Sequence, residues 1–167
     1  MDIAHFSGKE IIEMAIRIEE NGVGFYTQAC SASKSERIKK LFLSLAEEEK
    51  KHISCFKNIG RHVKDDTFPG IFDPNLEEAP LYLKALADSR VFTNLNEGKL
   101  LASKARSEEE VLKTAINIEK DSILFYYELR NAINDKDKLT LKGLIEEEKK
   151  HLQKLTELQQ DLRRNAL

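Results

Sequence analysis

Glu47-Glu48-Glu49-Lys50-Lys51-His52 and Glu146-Glu147-Glu148-Lys149-Lys150-His151 are one six-residue string, present twice in a chain of 167 residues and 99 positions apart. Each copy places a Glu three residues before a His, as Glu49/His52 and Glu148/His151. An α-helix turns once in about 3.6 residues, so both side chains of such a step share one side of a helix. A single Glu-x-x-His on a charged helix describes a solvated face. Three features argue for more here. The step recurs at matched places of a repeat. In both copies its Glu and His fall in line with apolar positions: Leu41, Phe42, Leu45, Phe56 and Ile59 in the first, Leu141, Leu144, Ile145, Leu152 and Leu155 in the second. The segment before each string also carries a Glu inside an apolar stripe, Glu19 in AIRIEENGVGFY and Glu119 in AINIEKDSILFY. An uncompensated carboxylate is costly in such a place.

The repeat extends outward from the two strings. Ser7 with Glu10, and Ser107 with Glu110, each give the capping-box pattern that opens a helix. Behind the first cap, Ile12, Ala15, Ile16, Glu19, Gly22, Val23 and Tyr26 follow helical spacing. Behind the second, Leu112, Ala115, Ile116, Glu119, Ser122, Ile123 and Tyr126 do the same. Ser31–Ser35 breaks the first pattern, and a second helix is predicted from about residue 35 to 60. The polar stretch 131–138 is predicted as a turn, with a fourth helix over about 136–164. The chain thus reads as two helix hairpins, about 7–60 and 107–164, joined by a crossover over 61–106. Pro69-Gly70, Asp73-Pro74 and Pro80 mark turns in that crossover, and a short helix is predicted at about 77–90. A period near 100 residues is too long for a solenoid repeat. It predicts an all-α four-helix bundle, one domain spanning 1–167, made of a duplicated hairpin.

Composition narrows the function classes. Hydrophobic residues make up 41% and charged residues 34%, with only three prolines, as in a soluble helical protein. A net charge of −2 gives no reason to expect nucleic acid or an anionic membrane as partner. No apolar run approaches the ~18 residues of a membrane span. No leader is expected in MDIAHFSGKE, which lacks a basic start and apolar run. Cys30 and Cys55 form no Cys-x-x-Cys pair and are expected as reduced thiols in the cytoplasm. Two cysteines also cannot supply a four-thiolate iron site.

Glu19, Glu49, His52, Glu119, Glu148 and His151 form a donor set for two metal ions. Four carboxylates balance two divalent charges, and the two imidazoles bind neutral. Mixed oxygen and nitrogen donors suit iron, with manganese and zinc also fitting, better than calcium or magnesium. Helix pairing predicts Glu49 and Glu148 as bridges. Glu19 with His52, and Glu119 with His151, are then the terminal ligands of one ion each. Tyr26 and Tyr126 stand seven residues after Glu19 and Glu119. They either hydrogen-bond the ligand carboxylates or pack as ordinary core. Gly22 beside Glu19 either leaves space for a small molecule or permits close helix packing. His5 and His62 lie outside the repeat and are expected at the surface, as are Glu20, Glu47, Glu48, Glu146 and Glu147.

A Glu on each of two helices with a Glu-x-x-His on each of the other two is the donor pattern of the ferritin-like di-iron and di-manganese carboxylate proteins. At these residues the chain resembles the rubrerythrin-like branch of that superfamily, from Ser7 to about residue 162. The resemblance implies a ferritin-like bundle with a di-iron centre that reacts with peroxide or dioxygen, and a homodimer, in some members with exchanged helices. Two departures stand out. Rubrerythrin carries a four-cysteine electron-transfer domain, which this sequence lacks, so a separate electron-donor protein is expected. Rubrerythrin also has a further ligand Glu three residues after the third-helix Glu. That position is Ser122 here, and Gly22 in the first repeat. The remaining ligand count is closer to that of bacterioferritin, although the absence of a fifth helix after the fourth speaks against a storage cage. The expected function is a cytoplasmic di-metal oxidoreductase. The alternatives are a non-catalytic iron-handling, ferroxidase or storage protein, and a structural bundle with zinc or no metal.

Overall fold

The computed structural model describes residues 7–63 and 96–165. They form five helices: α1 (Gly8–Ala32), α2 (Glu36–Gly60), α3 (Glu97–Lys104), α4 (Glu108–Ala132) and α5 (Asp135–Asn165). The helix predicted at 77–90, the turn signals at 69–80 and His5 lie outside the described residues.

The starts of the long helices follow the predicted chemistry. Ser7 Oγ accepts from the Glu10 N–H at 3.3 Å, and the Glu10 carboxylate accepts from the Ser7 N–H at 2.8 Å. These reciprocal bonds satisfy two of the amides that a helix start leaves unpaired. Ser35 caps α2 and Ser107 caps α4 through the N–H groups of Ile38 and Glu110. The stretch 131–138 needs correction: only residues 133–134 interrupt the helices. Asn134 explains the early restart. Its Oδ1 accepts from the Asp137 N–H at 3.0 Å, and its Nδ2 donates to Asp137 Oδ2 at 2.8 Å.

α1 packs along α2, and α4 along α5. Across the two hairpins, Tyr26 bonds to Glu119 and Tyr126 to Glu19. The residue numbers of both pairs add to the same total, the mark of antiparallel neighbours. His52–Glu147 and His151–Glu48 show the same for α2 and α5. The apolar core accordingly splits into two clusters. One gathers Ile12, Ile18, Phe56, Ile59, Leu129, Leu141 and Ile145. The other gathers Phe25, Ala29, Phe42, Leu45, Leu112, Ala115 and Leu155. The early half of α1 lies in one and its late half in the other, with Glu19 between them along the helix.

α3 falls in the stretch read as irregular crossover. It lies against α1, where Gly98 meets the α1 backbone. A Cβ on Gly98 would stand 1.9 Å from the Asn21 carbonyl oxygen, so no larger residue fits. The Gly98 N–H donates to Asn21 Oδ1 at 3.3 Å. The buried stripe of α1 is shifted from the predicted one: Gly98 covers Asn21, Ala102 shares a cluster with Phe25, and Ile18 is buried too, while Ile16 and Val23 are only half-buried.

Candidate metal centre

All six predicted donors meet in the middle of the bundle, and all are buried. Helical periodicity brings each Glu-x-x-His pair onto one face of α2 or α5, while Glu19 and Glu119 come from α1 and α4. Two four-donor groups result, Glu19/Glu49/His52/Glu148 and Glu49/Glu119/Glu148/His151, each with its ligating atoms within 4.8 Å of one another. Glu49 and Glu148 belong to both.

Both imidazoles turn Nδ1 inward. His52 Nδ1 lies 2.8 Å from Glu148 Oε1, 3.0 Å from Glu49 Oε2 and 3.7 Å from Glu19 Oε2. His151 Nδ1 lies 3.1 Å from Glu148 Oε2, 3.4 Å from Glu49 Oε1 and 3.8 Å from Glu119 Oε2. The rings stack with centroids 5.5 Å apart. Despite these short distances, both Glu148 oxygens and His151 Nδ1 lack an aligned hydrogen-bond partner. Buried polar atoms are rarely left so. Converging donors that cannot satisfy one another are what a cation at their centre would resolve.

The electrostatics point the same way. Burial alone would favour neutral imidazoles, but the facing carboxylates outweigh it and hold both histidines well above their ordinary range. Burial, reinforced by the Glu148 charge, raises Glu49 and pushes Glu119 up to about 8. Glu148 is buried too, yet His151 and His52 hold it well below the usual carboxylate range. Without metal, four mutually repelling carboxylates are thus offset only by the two imidazoles and by bound protons. Divalent cations would take the place of those protons.

Tyr26 and Tyr126 are fully buried and donate their hydroxyls to Glu119 and Glu19. Burial, and then the nearby carboxylate charges, raise both phenols, so they stay protonated and able to donate. The hydrogen-bonding alternative therefore holds, with each tyrosine serving the opposite hairpin. Seven residues span about 10 Å of helix, too far for it to reach the Glu of its own.

At Gly22 the close-packing alternative holds. A Cβ there would approach Glu49 Cγ to 3.3 Å, so the space is used by Glu49 itself. Ser122 turns its hydroxyl back onto the Ile118 carbonyl at 3.0 Å. His62 is exposed as expected, 3.9 Å from Asp137.

Two further carboxylates join the site. Glu48 and Glu147, expected in solvent alone, bond to the outer nitrogens of the imidazoles. Glu147 Oε2 lies 2.9 Å from His52 Nε2, and Glu48 Oε2 lies 2.6 Å from His151 Nε2. Such a partner fixes the ring and directs its other nitrogen to the metal. The signal was present in the doubled string, whose middle Glu sits one residue before each predicted bridge.

A family model described as rubrerythrin matches residues 10–159. The chain belongs to the rubrerythrin family. A crystal structure described as that of a ferritin-like diiron-carboxylate protein from Thermotoga maritima is similar to it, with 30% sequence identity and a TM-score of 0.68. The match covers 93% of this chain and 96% of that one. No curated protein matches this chain. Family and geometry together support a di-metal site in this rubrerythrin-family bundle. No helix among its described residues is long and apolar enough to cross a membrane.

Proposed function

We propose that this protein holds two iron ions and is an oxidoreductase that reduces peroxide or dioxygen. Its electrons come from a separate donor protein, and it works as a cytoplasmic homodimer. The observation that carries this reading is the pair of four-donor groups sharing Glu49 and Glu148. Glu19 and His52 complete one position, and Glu119 and His151 the other. Carboxylate and imidazole donors suit iron, manganese and zinc. The similar protein from Thermotoga maritima, described as diiron-carboxylate, favours iron.

The bound ions would supply the redox chemistry, and the protein supplies binding, orientation and shielding. Glu147 and Glu48 hold the imidazoles with Nδ1 inward. Tyr26 and Tyr126 steady the terminal carboxylates from the opposite hairpin and stay protonated while doing so. The two apolar clusters beyond them exclude water. One observation favours a second reading, iron handling with at most ferroxidase activity. Ser122 stands where rubrerythrin has a further ligand Glu, and it bonds to its own backbone.

Iron-loaded protein separates the two readings. In the first, ferrous protein is oxidised by peroxide faster than free ferrous iron and turns over repeatedly with an added electron donor. A single oxidation without turnover supports the second. Oxidation no faster than that of free ferrous iron overturns the oxidoreductase.

A further inference from the structure

The outer carboxylates of the two histidines do not have the same surroundings. Glu48, the partner of His151, is ion-paired: Lys154 Nζ stands 3.2 Å from its Oε2 and 3.5 Å from its Oε1. Glu147, the partner of His52, has no lysine or arginine nitrogen within ion-pair distance among the described residues. The cause is a single departure from the repeat. Lys154 follows His151 by three residues, and the residue three after His52 is Cys55, an uncharged half-buried thiol. Exposure follows suit, with the Glu48 side chain 30% exposed and that of Glu147 57%.

From this difference we infer that the two metal positions are unequal, the one at Glu19/His52 binding a divalent ion more tightly than the one at Glu119/His151. The inference rests on the di-metal reading. A carboxylate on the outer nitrogen of a ligand histidine makes that ligand more basic. Lys154 cancels most of the charge of Glu48, so His151 receives less of this support. The ammonium also adds a positive charge on the side of the second position, which disfavours a cation there. Glu147 keeps its charge and passes it to His52. The shorter bond from Glu48 holds the His151 ring better, but both rings are already fixed by burial. The charge difference therefore decides. Glu48, Glu147 and Lys154 are positioning residues, acting on the metal through the histidines.

The test uses full-length metal-free protein, one equivalent of zinc per chain, and anomalous diffraction to measure occupancy at each position. In the unchanged protein the Glu19/His52 position should hold the larger share, by roughly tenfold, the scale on which such outer partners act. Lys154→Met should bring the two occupancies together, and Lys154→Arg should keep them apart. Glu147→Gln should move zinc toward the Glu119/His151 position. Lys154 is 42% exposed, so its replacement leaves the core intact. Equal occupancies in the unchanged protein would overturn the inference, as would a ratio that Lys154→Met leaves unmoved. Zinc at neither position would overturn the di-metal reading itself, whereas zinc divided equally between the two positions would overturn only the inequality and leave that reading standing.

Discussion

The two hairpins present the same inner donors but differ in what stands behind them. In α1 and α2, Gly22 yields its space to Glu49, Cys55 follows the histidine, and α3 covers the outer side of Asn21. In α4 and α5, Ser122 takes the place of Gly22 and Lys154 that of Cys55. Here the six donors, the two tyrosines and the outer carboxylates Glu48 and Glu147 keep the repeat, while Gly22/Ser122 and Cys55/Lys154 differ. The site is symmetric in composition and asymmetric in its support.

The largest effect should come from the residues that the hairpins share. Glu49→Ala and Glu148→Ala each remove a donor from both groups, so elemental analysis should find both ions lost. Glu19→Ala and Glu119→Ala each touch one group and should cost one ion. If Glu49→Ala retained one ion, the two positions would be independent and the shared assignment wrong. An intermediate effect is expected at the tyrosines. Tyr26→Phe and Tyr126→Phe each leave a buried carboxylate without its donor, at about 1–3 kcal/mol. Urea unfolding of the metal-loaded protein should show both losses at similar size, since the two bonds are equivalent across the hairpins. A cost confined to one tyrosine would show that the asymmetry reaches the carboxylates themselves. The smallest effect lies at the paired Gly22 and Ser122. Ser122→Ala should change stability by no more than about 1 kcal/mol, because its hydroxyl only adds a second bond to a carbonyl of its own helix and the change to Ala favours the helix. Gly22→Ala should gain up to about 1 kcal/mol of helix propensity and lower metal occupancy by displacing Glu49. Unchanged occupancy would mean that Glu49 has slack in its position.

The four long helices and the convergence of the six candidate donors were legible because their signals are local and periodic. Caps three residues wide, a 3.6-residue stripe and a Glu-x-x-His step are all read within one segment. α3 was not legible. An eight-residue helix has little stability of its own, and this one is held by Gly98 against the Asn21 carbonyl, a contact between positions far apart in sequence. The turn is shorter than the polar stretch 131–138 implies, because Asn134 and Asp137 are a helix cap and not loop. The roles of Glu48 and Glu147 were hidden for a third reason. Their partners lie on the other hairpin, and only the antiparallel crossing of α2 and α5 brings each string against the other.

That crossing makes each half of the chain chemically incomplete. Tyr26 needs Glu119, Tyr126 needs Glu19, and each imidazole finds its outer carboxylate on the opposite side. A lone hairpin would carry every one of these groups without its counterpart, and could satisfy them only by meeting a second hairpin head to tail. What the covalent crossover supplies is thus permanence of encounter: it turns an association that would depend on concentration into an intramolecular one.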